Sequence, residues 1–153
     1  MRGLVALASQ KSAKRTRNGV LKGEVMKMGI AFIKVAAVYL LVGVCLGLYM
    51  GIAEKFEYTA PHAHINLLGW ATMALFGLIY HFFPRAGNSK LGKIHFWLHN
   101  IGTLALILGM VFFANENEAI ALPLAIPGAI LVIIATLVFL VNVFQNLENE
   151  NRV

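Results

Sequence analysis

The chain has 153 residues, of which 59% are hydrophobic and 13% charged, and its mean hydropathy is +0.73. These values exclude an ordinary soluble domain and are typical of an integral membrane protein, so we expect membrane lipid around it. The formal net charge is +6, but basic and aromatic residues are not interleaved, which argues against nucleic-acid binding. The single cysteine, Cys45, excludes an intrachain disulfide and a thiolate zinc cluster.

Residues 1–27 are predicted to form a basic N-terminal arm, because seven of the 13 Lys and Arg residues lie there. The apolar stretch GLVALA precedes most of this charge, which is the reverse of the order in a signal peptide. The arm is expected to be amphipathic or disordered. Alternatively, the native chain starts at Met26 or Met28, because the sequence from there already leads from a charged end into a membrane helix.

Four stretches are long and apolar enough to cross a membrane, which takes about 20 residues. They are 28–53, 62–83, 92–114 and 119–144. Together they form a transmembrane domain, 28–147, which is followed by a short tail, 148–153. Because the connections are short, consecutive helices are expected to be antiparallel neighbours. The predicted fold class is all-α, a four-transmembrane-helix antiparallel bundle.

The charges of the connections predict the orientation. The second connection carries Arg85, Lys90 and Lys93 without an acid, whereas the first and third connections are net acidic. The positive-inside rule therefore places both termini in the cytoplasm. The expected location is a bacterial-type inner (plasma) membrane.

The first span contains Gly43, Gly47 and Gly51 at four-residue spacing. Small residues at this spacing allow two membrane helices to approach closely. The partner is either another helix of this chain or a second copy. In the fourth span, Asn142 is expected to form a hydrogen bond to another helix or to lipid headgroups.

His62 and His64 begin the second span. Residues two apart on a helix point about 200° apart, so these side chains face opposite ways and cannot chelate one metal ion. Each can present an imidazole to a different site. The His62 face continues through Asn66 and is expected to be buried against protein, and the His64 face is apolar.

The other three histidines are expected toward the opposite end, with His81 about 25 Å from His64. His99 is the deepest, and an ionisable residue inside a span is a candidate functional residue, here a candidate metal ligand. His81 and His95 are expected to be solvated or hydrogen-bonded beside the basic connection.

The segment HAHINLLGWATMALFGLIYHFFPRAGNSKLGKIHFWLHNIG resembles two consecutive helices in subunit I of the heme-copper oxidases and nitric oxide reductases, most closely the cbb-type oxidases. The resemblance rests on the His-x-His pair, the Leu-Gly-Trp step, the helix exit with Gly77, Tyr80 and Pro84, and the re-entry at LGKIHFWL. It covers roughly residues 61–102.

The resemblance implies that His62 and His64 ligate two different hemes, a high-spin heme at His62 and a low-spin heme at His64, with Asn66 beside them. Complete oxidase activity in this chain alone is not expected, because its other histidines lie at the opposite end. The sixth iron ligand would come from His64 of a second copy, in a homodimer or larger homo-oligomer, or from Met50 or Met110. Otherwise the iron would stay five-coordinate and bind a gas.

The leading interpretation is a small b-type heme protein for electron transfer or for binding O2 or NO. An alternative is a cofactor-free accessory or assembly subunit of a respiratory complex. A second alternative is a copper site at His62 and Met50, since imidazole and thioether groups bind copper. The sequence contains no nucleophile triad or phosphate-binding loop of a hydrolase or kinase.

Overall fold

The computed structural model describes residues 27–147, and four of its helices are long and apolar enough to cross a membrane. Helix α1 covers Lys27–Ala53. Helix α2 consists of three joined segments, which are α-helical over Thr59–His64, π-helical over Ile65–Thr72 and α-helical over Met73–Phe82. A 3-10 turn, Phe56–Tyr58, precedes α2. The remaining helices are α3 at Pro84–Asn88, α4 at Lys90–Ala114 and α5 at Glu118–Asn146.

These helices confirm the all-α class and the four membrane-spanning segments. The predicted arm, apart from Lys27, and the tail 148–153 lie outside the described residues. The largest difference in boundaries is at α2, which begins at Thr59 rather than His62. Pro61 occupies the first turn of this helix, where a missing backbone N–H removes no intrahelical hydrogen bond, so the proline does not delay the helix start.

The four long helices form two hairpins, α1 with α2 and α4 with α5. The connections 54–58 and 115–117 lie at one end of the bundle, which we call the turn end. Both ends of the described chain and helix α3 lie at the other, which we call the termini end.

Glycines bring α1 and α2 together. A Cβ atom on Gly43 would lie 2.5 Å from Asn66 Oδ1, and one on Gly47 would lie 2.9 Å from His62 Cε1. On α2, a Cβ on Gly69 would meet the ring of Tyr39 at 2.5 Å. The partner of the small residues at 43 and 47 is therefore α2 of the same chain, whereas Gly51 faces open space.

A second glycine contact joins α4 and α5, and no pattern in the sequence singles it out. A Cβ on Gly109 would lie 2.5 Å from the backbone nitrogen of Ala125, and one on Gly128 would collide with the backbone nitrogen of Leu106. A Cβ on Gly102 would lie 2.9 Å from the backbone of α5. Backbone approach of this kind is what small residues provide between membrane helices, where lipid removes the hydrophobic driving force.

The two hairpins meet in an aromatic core near the termini end. Phe32 from α1 and Phe76 from α2 pack edge to face with ring centres 5.8 Å apart. Phe139 from α5 packs on Phe76 at 4.5 Å. The buried members of the core are Phe32, Ala36, Met73, Phe76, Tyr80 and Ala86. This core encloses the buried histidines of α4.

Candidate functional site

His64 lies at the end of the first α-helical segment of α2, near the turn end, and is partly exposed. Its Nδ1 lies 2.9 Å from the carbonyl oxygen of Ala60, one turn earlier. A carbonyl only accepts hydrogen bonds, so Nδ1 carries the proton and Nε2 keeps its lone pair. A histidine that ligates a metal usually has its second ring nitrogen fixed in this way.

His62 lies in a different environment, since its ring fills the space above Gly47 in the contact between α1 and α2. The Asn66 amide nitrogen donates to the His62 carbonyl at 2.9 Å and lies 3.5 Å from both ring nitrogens. The structure thus brings His62 and Asn66 together but separates both from His64.

The two faces of α2 differ as the sequence predicts. The face that continues from His62 is buried at Gly69, Met73, Gly77 and Tyr80. The face that continues from His64 opens outward, with Leu75 58% and Phe82 71% exposed. In a membrane, His64 therefore presents an imidazole at one end of an apolar surface that faces lipid or a partner.

The π-helical segment Ile65–Thr72 starts immediately after His64. Such segments are rare and occur frequently at functional sites. No pattern in the sequence indicates this change of helix type.

The two methionines considered as iron ligands lie in different places. Met110 is partly buried and lines a cavity of about 400 Å³ with Ala60, Pro61 and Phe113 at the turn end. Met50 is buried in α1. Among the residues that the structure describes, the His64 ring forms one hydrogen bond, from its Nδ1 to the carbonyl oxygen of Ala60 in the same helix.

A buried polar cluster lies at the termini end. Tyr80 Oη lies 2.8 Å from Nδ1 of His95. The Asn142 amide donates to Tyr80 Oη at 3.1 Å and to the Ala86 carbonyl at 3.0 Å. Ser89 Oγ donates to Asn142 Oδ1 at 2.8 Å and also accepts from the backbone of α4 as its N-cap. Asn142 is therefore an interhelix hydrogen-bonder, as predicted.

His95 is fully buried, so the expectation of a solvated side chain there is wrong, while the expected hydrogen bond is present. His81 is exposed. The burial of His95 follows from the aromatic core, because Phe32, Phe76 and Phe139 all pack against its ring. The pairing of His95 with Tyr80 is not predicted from the sequence, although Asn142, a polar residue inside a span, indicated a buried partner.

His99 is 1% exposed, and its Nε2 lies 3.3 Å from the carbonyl oxygen of Leu68. Three buried polar atoms of α4 have no hydrogen-bond partner: His95 Nε2, His99 Nδ1 and Thr103 Oγ1. They follow at intervals of four residues and so lie on one side of the helix. No group of three or more His, Cys, Asp or Glu side chains suited to a metal occurs within residues 27–147.

The chain has relatives among cytochrome c oxidase subunits. The family model described as cytochrome c and quinol oxidase polypeptide I matches residues 52–115. This part of the chain is similar to subunit I of the heme-copper oxidases. The match contains α2 to α4 and therefore both groups of histidines. The match confirms the resemblance to subunit I that the sequence of the His-x-His helix and the following helix indicates.

Two curated relatives give the extent of the likeness. The chain is 37% identical over 65 residues to the cbb3-type cytochrome c oxidase subunit CcoN1 of Stutzerimonas stutzeri, covering 39% of this chain and 14% of the relative. It is 32% identical over 105 residues to cytochrome c oxidase subunit 1 of Synechocystis sp., covering 59% of this chain and 19% of the relative. The chain thus spans less than a fifth of either relative's length. No solved structure matches the chain significantly.

Proposed function

We propose that the protein is a small integral-membrane b-type heme protein in which Nε2 of His64 binds the heme iron. The observation that carries the proposal is the hydrogen bond from His64 Nδ1 to the Ala60 carbonyl, which leaves Nε2 unprotonated on an apolar, outward-facing surface. A flat macrocycle fits such a surface, and a fixed imidazole tautomer suits iron ligation. A bound heme supplies one-electron transfer or the binding of O2 or NO.

The proposal assigns the iron to His64 and gives His62 a packing role. The His62 ring fills the contact with Gly47, and a macrocycle at this position would have to separate α1 from α2. Asn66 bonds to the His62 backbone within the same contact. These two residues hold the start of α2 against α1 and thereby orient the segment that carries His64.

We propose a homodimer as the source of the second iron ligand. His62 and His64 are the histidines nearest the turn end, whereas His81 and His95 lie toward the termini end. The Nε2 atom of His99 is directed at the Leu68 carbonyl. A two-fold axis beside the outward face of α2 would bring His64 of a second copy to the opposite side of the iron. In a monomer the iron would remain five-coordinate and open to a gas.

The proposed location is a bacterial-type inner membrane with the termini end in the cytoplasm. Arg85, Lys90 and Lys93 at this end are all exposed. At the turn end, Lys55 lies 3.2 Å from Glu57, and this hydrogen bond raises the pKa of Lys55. Lys55 is the only basic residue of the two connections at the turn end. The excess of Lys and Arg therefore lies at the termini end, which supports its placement in the cytoplasm by the positive-inside rule.

The decisive experiment is an absorption spectrum of the full chain purified from heme-replete cells. We expect a Soret band, a b-type pyridine hemochrome, and loss of both in His64→Ala. His81→Ala is the matched control, because this exposed histidine lies on the same helix, and it should retain the heme.

Three other outcomes reject the proposal in different ways. Heme retained by His64→Ala but lost from His62→Ala would move the iron to the α1–α2 contact. Copper lost on replacement of His62 or Met50, without heme, would favour the copper alternative. A cofactor-free protein that co-purifies with oxidase subunits regardless of His64 would identify an accessory subunit.

A further inference from the structure

The π-helical segment Ile65–Thr72 sets the direction of His64 relative to the rest of α2. Ile65, Gly69 and Met73 are buried and follow at intervals of four residues. In a regular α-helix, with about 3.6 residues per turn, residues four apart differ by about 40° in direction, so Ile65 and Met73 would differ by about 80°. A π-helix has more residues per turn and keeps these residues in one row. His64, the residue before the segment, is therefore directed outward only while the segment stays π-helical.

The end of the segment leaves one carbonyl without its regular donor. In a π-helix each carbonyl accepts from the backbone N–H five residues later, so the Leu68 carbonyl would pair with Met73. The Met73 N–H donates to the Trp70 carbonyl instead. A carbonyl inside a membrane bundle needs a donor from the protein, because lipid offers none.

His99 on α4 supplies a donor to this carbonyl. Its Nε2 lies 3.3 Å from the Leu68 carbonyl oxygen, and because a carbonyl only accepts, Nε2 carries the proton. The ring is 1% exposed, and Phe76 packs edge-on against it with ring centres 5.1 Å apart. The imidazole is therefore held with its N–H directed at the π-helical segment.

The carbonyl that His99 contacts belongs to a neighbour of His64. Leu68 follows His64 by one turn of α2, and residues at this spacing lie on the same side of a helix. Both side chains are partly exposed. A shift of the Leu68 backbone therefore moves the apolar surface directly beside the His64 ring.

We propose that His99 is a positioning residue for His64, and that its hydrogen bond to Leu68 holds α2 in the π-helical form that directs His64 outward. The effect on heme rests on the function proposed above, whereas the effect on helix type does not require heme. Nδ1 of His99 has no partner among the residues that the structure describes. Replacing His99 therefore removes the bond to Leu68 and no other hydrogen bond of this ring.

Three variants of the full chain separate this role from packing. His99→Leu fills the space without a donor, and His99→Gln keeps an N–H donor on a flexible side chain. Thr103→Val is the matched control, because the Thr103 hydroxyl is buried on the same helix without a partner.

The first measurement is titration of heme into each purified variant, with electron paramagnetic resonance of the oxidised product. We expect His99→Leu to bind heme at least tenfold more weakly than the wild type and to show shifted g values. His99→Gln should recover most of the affinity and the wild-type g values, and Thr103→Val should match the wild type. Wild-type affinity and g values in His99→Leu, or the same loss in His99→Gln as in His99→Leu, would overturn the proposal.

The second measurement needs no heme. Solid-state NMR of the wild type in lipid bilayers, with leucine labelled at the carbonyl carbon and histidine at the ring nitrogens, should show a dipolar coupling between Leu68 and Nε2 of His99. The backbone carbon shifts of residues 65–72 should change in His99→Leu and not in Thr103→Val. A missing coupling, or unchanged shifts in His99→Leu, would overturn the proposal even if heme binds. A coupling in a protein that binds no heme would reject the proposed function and retain the role of His99 in the helix. If His99→Leu fails to fold, the coupling in the wild type and the heme affinity of His99→Gln still decide.

Discussion

The interhelix role of Asn142 leads to a quantitative prediction for Asn142→Leu. This side chain is fully buried and takes part in four side-chain hydrogen bonds. Its amide donates to Tyr80 Oη and the Ala86 carbonyl, and its Oδ1 accepts from Ser89 and Asn146. Leucine has the same number and branching of side-chain heavy atoms as asparagine, so the change removes these bonds without shortening the side chain.

The magnitude follows from the number of bonds. Side-chain hydrogen bonds contribute about 0.6 to 1 kcal/mol each, including those measured within membrane bundles. Four bonds therefore give a loss of about 2–4 kcal/mol in the free energy of unfolding. The bonds to Tyr80, Ala86 and Ser89 join α5 to α2, to α3 and to the start of α4, so the loss should affect the whole bundle.

The assay is unfolding of the detergent-solubilised protein by titration with sodium dodecyl sulfate, followed by helicity. Asn100→Leu is the matched control, because Asn100 is partly buried and its amide donates locally to Phe96 at 2.7 Å. The control should change the free energy by less than about 0.5 kcal/mol. The reasoning is refuted if Asn142→Leu is as stable as the wild type or if both variants lose the same amount.

Three further predictions follow from particular contacts. Gly128→Ala should lower the free energy of unfolding by about 1–3 kcal/mol, because the added Cβ would collide with α4. The control, Gly51→Ala, should leave this free energy unchanged or raise it, because Gly51 faces open space. The same titration measures both variants. Tyr80→Phe should lower the free energy of unfolding by about 1–3 kcal/mol, because His95 Nδ1 and the Asn142 amide each lose a buried hydrogen-bond partner, and unchanged stability in the same titration would contradict this. Ser89→Ala should cost about 1 kcal/mol through loss of the α4 N-cap, and equal stability would show that the cap is dispensable.

The membrane-spanning segments could be predicted from the sequence because a hydrocarbon core demands long apolar helices. The predicted first span, 28–53, and the end of the third at residue 114 agree with the helices of the structure. The opposite directions of His62 and His64 could also be predicted, because both lie in the same short α-helical segment with ordinary helical geometry.

The contacts between helices could not be predicted, because they depend on the relative depth and rotation of distant segments. Tyr80 and Asn142 are 62 residues apart, and no local pattern aligns them. The same holds for His95, which is near a basic connection in sequence but is covered by aromatic rings from three other helices. Proximity to a charged loop was therefore a poor guide to its exposure.

Gly47 accounts for the different surroundings of His62 and His64. Without a side chain there, α1 approaches α2 closely enough for the His62 ring to lie in the contact. The opposite direction of His64 then leaves its Nε2 facing outward, with Nδ1 bonded to its own helix. The two histidines of one short motif thus lie in different surroundings, because one face of α2 is packed and the other is not. A larger residue at position 47 would displace His62 and α2 together. The orientation of His64 therefore depends on the absence of a Cβ atom at position 47 of α1.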